Sequence, residues 1–163
     1  MPEALTAVAL FVASLCAMEG VAYLMHKYVM HGWMWCWHRS HHAPRHGAFE
    51  RNDLFAVCFA VPSIALIWTG VHGGVPALLW VGLGMTAYGL VYALFHDALV
   101  HHRFPWKPSA RGRILKRLVQ AHRIHHAVHT KAGAVSFGFL WAPPVRRLRA
   151  ELRALHGDKI EAA

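Results

Sequence analysis

HKYVMH at His26 to His31, followed by HRSHH at His38 to His42, is the stretch on which the reading of this chain turns. The pattern, HxxxxH and then HxxHH, returns once, as His96 and His101 followed by His122, His125 and His126. With 15 histidines in 163 residues, HxxHH is expected about 0.1 times by chance when matches to a template are counted. Two occurrences, each behind an HxxxxH, are therefore a property of the fold and not of composition. Positions i, i+3 and i+4 share a helix face, so His38, His41 and His42 can converge, as can His122, His125 and His126. Neutral imidazole is a common ligand for iron, zinc, copper and nickel. The HxxxxH pairs behave differently, because five residues advance an α-helix by about 500° and leave the two rings about 140° apart. Either the helix is distorted there, for instance by a π-bulge, or the two rings serve different metal ions.

Ten ligands are too many for one ion of four to six coordination and about right for two. The set expected to bind metal is thus His26, His31, His38, His41, His42, His96, His101, His122, His125 and His126, as a dinuclear site. A lone histidine on an apolar face is usually a satisfied core residue; four clusters in this arrangement reverse that expectation. His46, His72, His102, His129 and His156 fall outside the pattern. Of these, His102 and His129 are the strongest challengers to the set, and His72 and His156 are expected at the surface.

Outward from the histidines the chain is apolar and its charge is segregated. The hydrophobic fraction is 56% and the mean hydropathy +0.29. No Lys or Arg occurs before Lys27 or between Asn52 and His102; all 17 lie in Lys27 to Arg51 and Arg103 to Lys159. Apolar stretches alternating with basic loops on one side are the pattern of membrane spans, since cytoplasmic loops collect Lys and Arg. A span needs about 20 mainly apolar residues, and three stretches qualify: 4–25, 54–71 and 76–100. The fold expected is all-α: an integral membrane helical bundle, one domain over 1–163, with a cytoplasmic histidine-rich di-metal cap built from 26–53 and 101–163. In that topology all four histidine clusters land on one membrane face. A third stretch broken near Gly82 to Gly89 into two shorter helices would need one of them to be re-entrant.

A pI near 10.1 also admits a nucleic-acid partner, but the positive residues flank apolar segments and carry no nucleic-acid motif. Anionic lipid headgroups are the partner expected for these loops, and no nucleic acid is. Cys16, Cys36 and Cys58 form no CxxC pair and no even framework; Cys36, two residues before His38, is read as a small interfacial side chain before a ligand. The N-terminal apolar run lacks a basic leader and continues into Glu19 and His26, so it is read as a retained helix. Trp33, Trp35, Trp37 and Trp106 border the spans as interfacial anchors. Arg111 to His129 has Ile114, Leu118, Ala121 and His125 at helical spacing, with Arg and Lys opposite, and is expected along the membrane surface.

Only eight acidic residues occur, and four lie near the histidines. Carboxylates behind the ligands offset metal charge and fix ring tautomers. Asp97, four residues before His101, Glu19, seven before His26 and inside a span, and Glu50 are the candidates. For Glu50 and Asp53 a helix-capping role before Leu54 is at least as strong.

Four runs carry a family resemblance: HKYVMHG at 26–32, HRSHHAPRHGAFERNDL at 38–54, FHDALVHHRFP at 95–105 and QAHRIHHAVHTKAGAVSFGFLWAPP at 120–144. They resemble the membrane fatty acid hydroxylase and sterol desaturase superfamily, and within it the bacterial β-carotene 3-hydroxylases, over roughly residues 20–150. The resemblance implies a non-haem di-iron monooxygenase that uses O2 to hydroxylate carbon 3 of β-ionone rings, taking β-carotene to β-cryptoxanthin and zeaxanthin. It implies the ten patterned histidines as ligands of two Fe2+ ions and a bacterial inner membrane with the clusters facing the cytoplasm. Two positions depart from many relatives, His102 in place of Gln and Met34-Trp35-Cys36 where Gly is common; neither is a patterned histidine, and both bear on substrate preference. Hydroxylating an unactivated C–H bond needs O2, two electrons and two protons, and the chain has no dinucleotide, flavin or haem motif. Electrons are therefore expected from a ferredoxin, docked on Arg111, Arg113, Lys116 and Arg117. A carotenoid would enter sideways from the bilayer, past residues such as Tyr23, Tyr92 and Phe95. A carotenoid 4-ketolase or a sterol or fatty acid hydroxylase shares the scaffold, though HDALVHHRFP and VSFGFL favour the 3-hydroxylase. A non-enzymatic membrane metal carrier is the reading from another class; clusters gathered at one face, instead of lining a path across the bilayer, weigh against it.

Overall fold

Long runs without charge give the three principal helices: α1 (Pro2–Leu24), α3 (Leu54–His72) and α4 (Pro76–Tyr92). A computed structural model describes residues 2–157, and all of its regular structure is helical, with no strand among the described residues. Two of these helices do not stop where the apolar run ends. α1 continues as a π-helical segment, Met25–Trp33, and α4 as another, Ala93–Val100. Helices long and apolar enough to cross a membrane therefore run over Glu3–Trp33, Arg51–His72 and Pro76–Val100. The first extends eight residues past the expected limit at 25, because HKYVMH stays helical in its wider form. α4 runs unbroken through Gly82, Gly84 and Gly89, so the divided third span does not occur.

α4 is the central helix, packed on α1 on one side and α3 on the other. Small residues allow the approach, as in membrane bundles where close van der Waals packing replaces a hydrophobic drive. A Cβ on Gly84 would stand 2.6 Å from the Phe11 carbonyl, and one on Gly82 2.9 Å from that of Ser63. Hydroxyls reinforce both contacts: Ser14 donates to the Val81 carbonyl at 2.8 Å and Ser63 to that of Gly82 at 2.9 Å. The outer faces stay apolar, with Val8, Val12, Val57, Val61 and Leu94 exposed, the kind of surface that lipid covers.

The remaining elements form a cap at one end. They are α2 (Trp35–His38), a 3-10 turn (Arg51–Asp53), α5 (Arg113–His126) and α6 (Val145–His156). Leu118, Ala121, Ile124 and His125 make the buried face of α5, and Leu148 and Leu152, one turn apart on α6, are fully buried beside them. Ile114, expected on that face, is exposed at the helix start. Between α5 and α6 the chain crosses the histidines as an irregular strap from Ala127 to Pro144. Gly133 takes φ +90° there, and a Cβ on it would stand 2.5 Å from the His156 ring. His156, expected at the surface, is instead half-buried and bonded to the Gly133 carbonyl at 3.0 Å.

Candidate metal centre

The π-helical segments decide how the HxxxxH pairs meet. His101 N–H donates to the His96 carbonyl at 3.0 Å, and Met34 N–H to that of Val29 at 2.9 Å. Both are the i to i+5 bonds of a π-helix, which place residues five apart one above the other. His26 and His31 accordingly lie with ring centroids 5.4 Å apart, and His96 and His101 4.5 Å apart. Of the two possibilities open from the spacing, the helix is distorted, and each pair falls within a single cluster of rings.

All ten patterned histidines come together, in two sets of five. One is His26, His31, His38, His42 and His125; the other is His41, His96, His101, His122 and His126, and within each set the ligand atoms lie within 4.8 Å of one another. The middle histidine of each HxxHH has crossed over. His38 and His42 remain with the HxxxxH of their own repeat while His41 joins the second set, and His125 leaves His122 and His126 to join the first. Consecutive residues point about 100° apart on a helix, so His125 and His126 on α5 turn to different sets; His41 and His42, in the turn after α2, part in the same way. The sets share a wall, where His42 stacks on His126 at 4.5 Å and 17°.

Ring tautomers follow from the acceptors. His26, His31, His42 and His125 each direct Nδ1 at a backbone carbonyl, those of Phe137 (2.9 Å), Lys131 (3.0 Å), Val128 (2.8 Å) and Val135 (3.0 Å). His38 Nδ1 meets Asn52 Oδ1 at 2.7 Å, His41 Nδ1 meets Glu50 Oε2 at 3.2 Å and His96 Nδ1 meets Asp97 Oδ1 at 2.8 Å. These oxygens carry no proton, so Nδ1 holds it and Nε2 is left as a bare lone pair. The Nε2 atoms then face one another: His26 and His38 at 3.1 Å, His31 and His125 at 3.1 Å, His41 and His96 at 2.9 Å. Two lone pairs at that distance repel unless a cation lies between them. Burial, helped by neighbouring rings, holds the imidazoles neutral; it pushes His38 and His101 down to about 4 and His42 to about 3. His41, His122, His125 and His126 are depressed for the same reason.

This donor set fits metal. Imidazole nitrogen binds a first-row ion at about 2.0–2.1 Å, so two ligands of one ion stand about 3–4 Å apart, the separation seen here. His126 Nε2 and His122 Nδ1 are buried without a hydrogen-bond partner, which fits an ion for the former.

The two surroundings differ. Around the first set every acceptor is neutral: Asn52 and four carbonyls supplied by the strap. Around the second stand the carboxylates of Glu50 and Asp97; Arg103 grips Asp53, the capping partner of Glu50, through two 2.6 Å contacts and reaches Asp97 at 3.4 Å. Those bonds to Asp53 hold the guanidinium protonated beyond its ordinary range. Glu50 also caps the turn reciprocally with Asp53, so capping and histidine support coexist in one side chain. Glu19 touches no histidine. Its Oε1 accepts the backbone N–H groups of Phe139, Leu140 and Trp141 at 2.9–3.1 Å, and its Oε2 the Tyr88 hydroxyl at 2.8 Å. It thereby holds the strap that positions the Phe137 carbonyl and stacks Phe139 on His26 at 5.2 Å.

Outside the sets, His129 donates to the His42 carbonyl, His102 is exposed at φ +49°, and His72 lies on Trp68 far along α3. The three cysteines are free and exposed. Trp35, read as an anchor, packs on His31 and His42 at 5.0 and 5.4 Å. Asn52, Arg103 and the strap carbonyls escaped the sequence reading.

Residues 11–143, which contain both sets and nearly all of the strap, match the fatty acid hydroxylase family. The chain belongs to that family. It is 59% identical over 146 residues to a β-carotene hydroxylase of Pantoea ananas, covering 90% of this chain and 83% of that one. It is 56% identical to a β-carotene hydroxylase of Pseudescherichia vulneris, over 90% and 82% of the two chains. A β-carotene hydroxylase of Paracoccus sp. (strain PC1) is 47% identical over 87% of this chain and 88% of its own length. No solved structure matches it.

Proposed function

We propose that this family member is a β-carotene 3-hydroxylase, an oxidoreductase whose two histidine sets each hold one iron ion. The observation that carries the reading is the pair of five-histidine sets, buried, neutral and with lone pairs converging, in a chain more than half identical to two β-carotene hydroxylases. When bound, the two irons supply the activation of O2 by which one oxygen atom enters a C–H bond and the other leaves as water, at the expense of two electrons and two protons. The ten histidines bind; the strap carbonyls, Asn52, Glu50 and Asp97 orient the rings and keep the proton on Nδ1. Phe137 and Phe139 exclude water from the His26 side. No redox cofactor motif lies in the chain, so a ferredoxin-type donor delivers the electrons, and exposed Arg111, Arg113, Lys116 and Arg117 offer it a basic face. The basic residues all lie on the cap side of the apolar helices, which supports a bacterial inner membrane with the cap in the cytoplasm.

The test is pigment chromatography of a β-carotene-producing bacterium that expresses the chain, beside His125→Ala. Conversion to β-cryptoxanthin and zeaxanthin, lost together with bound iron in the variant, is the expected result. Ketone products would make it a ketolase, and untouched β-carotene from iron-loaded protein would turn the search to sterol or acyl substrates.

A further inference from the structure

α3 and α4 are tightly joined away from the cap, where Gly70 meets Leu79 and Ser63 meets Gly82. Toward the histidines they part around a cavity of about 390 Å³. Small residues keep it open: Ala56 and Ala60 on one wall, Gly89 and Ala93 on the other. A Cβ on Gly89 would meet nothing within 4 Å. Ala56, Ala60 and Gly89 are exposed, as are Ile64 and Leu90 beside them, so the cavity opens on the apolar outer surface between the two helices. Its interior is lined by Phe59, Met85 and Met18.

The floor carries two aromatic rings beside the Asn52 side chain and the paired charges of Asp53, Asp97 and Arg103. Tyr92 and Phe139 meet edge to face at 4.8 Å; Tyr92 stacks on His96 at 4.5 Å and 20°, and Phe139 on His26 at 5.2 Å and 10°. No histidine is among the lining residues, so these two rings separate the cavity from both sets: Tyr92 touches the second through His96, and Phe139 touches the first through His26 and the second through His96 at 5.6 Å and His122 at 5.9 Å. From Asp53 at the floor to Ile64 at the mouth, α3 rises about 16 Å at 1.5 Å per residue. That is about half of a hydrocarbon layer some 30 Å thick. A slot of that depth, apolar along its walls, with its charged groups gathered at the floor and its side open to lipid, takes one end of a long hydrocarbon and leaves the rest in the bilayer. Tyr23 and Phe95 do not line it: Tyr23 lies against Phe137, and Phe95 is in the core.

We propose that this cavity is the substrate chamber and that the terminal ring of a carotenoid enters it sideways between α3 and α4, coming to rest on Tyr92 and Phe139. The assignment rests on the reading of the chain as a carotenoid hydroxylase. It has a kinetic consequence: a substrate with two like ends presents one end per visit, so the singly hydroxylated product leaves and competes with β-carotene for re-entry.

Filling the mouth tests the chamber. Gly89→Phe and Ala60→Phe narrow it from opposite walls, so failure of one variant to fold leaves the other. Val57→Phe and Val61→Phe add the same ring to the outer face of α3. Three quantities are measured: conversion in the β-carotene-producing bacterium, β-carotene co-purifying per polypeptide, and iron per polypeptide. The expected result is a conversion and a bound pigment at least tenfold lower in Gly89→Phe and Ala60→Phe, with parental iron and with Val57→Phe and Val61→Phe unaffected. Gly89→Ala and Gly89→Leu should fall between in order of size. Parental conversion and pigment in either filled variant would overturn the chamber. A parent that leaves β-carotene unchanged would instead sink the functional reading, and pigment bound by it but lost from both filled variants would still support the chamber.

Discussion

Asp97→Asn separates the two centres. In the second set, Asp97 Oδ1 accepts the His96 Nδ1 proton at 2.8 Å and stands 3.4 Å from Arg103, while His96 Nε2 faces His41 Nε2 at 2.9 Å. Asparagine keeps the acceptor oxygen and the volume, and removes only the charge. A hydrogen bond to a charged group is worth about 1.5–3 kcal/mol and a neutral one about 0.5–1.5, so the change costs about 1–1.5 kcal/mol. That is about tenfold in metal affinity, at the low end of what partners behind a ligand usually contribute. The first set is untouched, because its Nδ1 acceptors are Asn52 and four strap carbonyls. The assay is chelator competition on the purified protein, counting iron per polypeptide. One ion should leave at about tenfold lower chelator than in the parent, and the other at the parental concentration. A release curve superimposable on the parent's would refute the idea that the Asp97 charge supports the second centre.

The mirror experiment is Asn52→Leu, which strands the buried His38 Nδ1 proton at a cost of about 1–3 kcal/mol; the ion that Asp97→Asn leaves alone should now be released first. His41→Ala, although it lies in the first repeat, should loosen the same ion as Asp97→Asn, and release of the Asn52-dependent ion instead would contradict the crossed sets. Glu19→Ala leaves three backbone N–H groups of the strap without their carboxylate, so the detergent-solubilised protein should lose at least about 2 kcal/mol of stability in thermal melts, with Tyr88→Phe milder. For the metal-free protein the pH dependence has a definite sign. Burial depresses His38, His101 and His42 to about 4, 4 and 3 in the folded state, below the ordinary 6.5. Stability is thus fully present above about pH 6.5 and falls as the pH drops toward 4 and 3, by about 1.4 kcal/mol per unit for each such ring; melts that improve on acidification would contradict it.

The ten histidines and three long helices were legible because both rest on local regularity: a repeated spacing in one case, uninterrupted apolarity in the other. The π-helical distortion was legible as one of two options, since 140° between rings demanded either a wider turn or two destinations. What decided between them was packing of the HxxxxH segments on the cap, which no spacing contains. The strap was illegible for a simpler reason. Its contribution is backbone carbonyls, which every residue carries, and only a fold that lays residues 128–137 across His26, His31, His42 and His125 makes four of them useful. Glu19 shows the same limit: its register with His26 is real, but its carboxylate found three free N–H groups of the strap, about 120 residues on, that needed it more. Asn52 and Arg103 read as ordinary loop polarity until Asn52 meets His38 and Arg103 joins Asp53 to Asp97.

The crossing of His41 and His125 explains why the repeat is not simply two copies of one site. Had each HxxxxH and HxxHH made its own centre, either half of the chain could bind an ion alone. Instead each set takes four ligands from one half and one from the other, so neither is complete until α5 has docked on the segment after α1. Without an ion that docking is opposed, since it brings bare Nε2 lone pairs to within about 3 Å of one another among buried rings. An ion held in each set would relieve that repulsion, and its binding free energy would add to the folding free energy of the cap. The same stroke lays the strap over the first set and brings Phe139 against Tyr92.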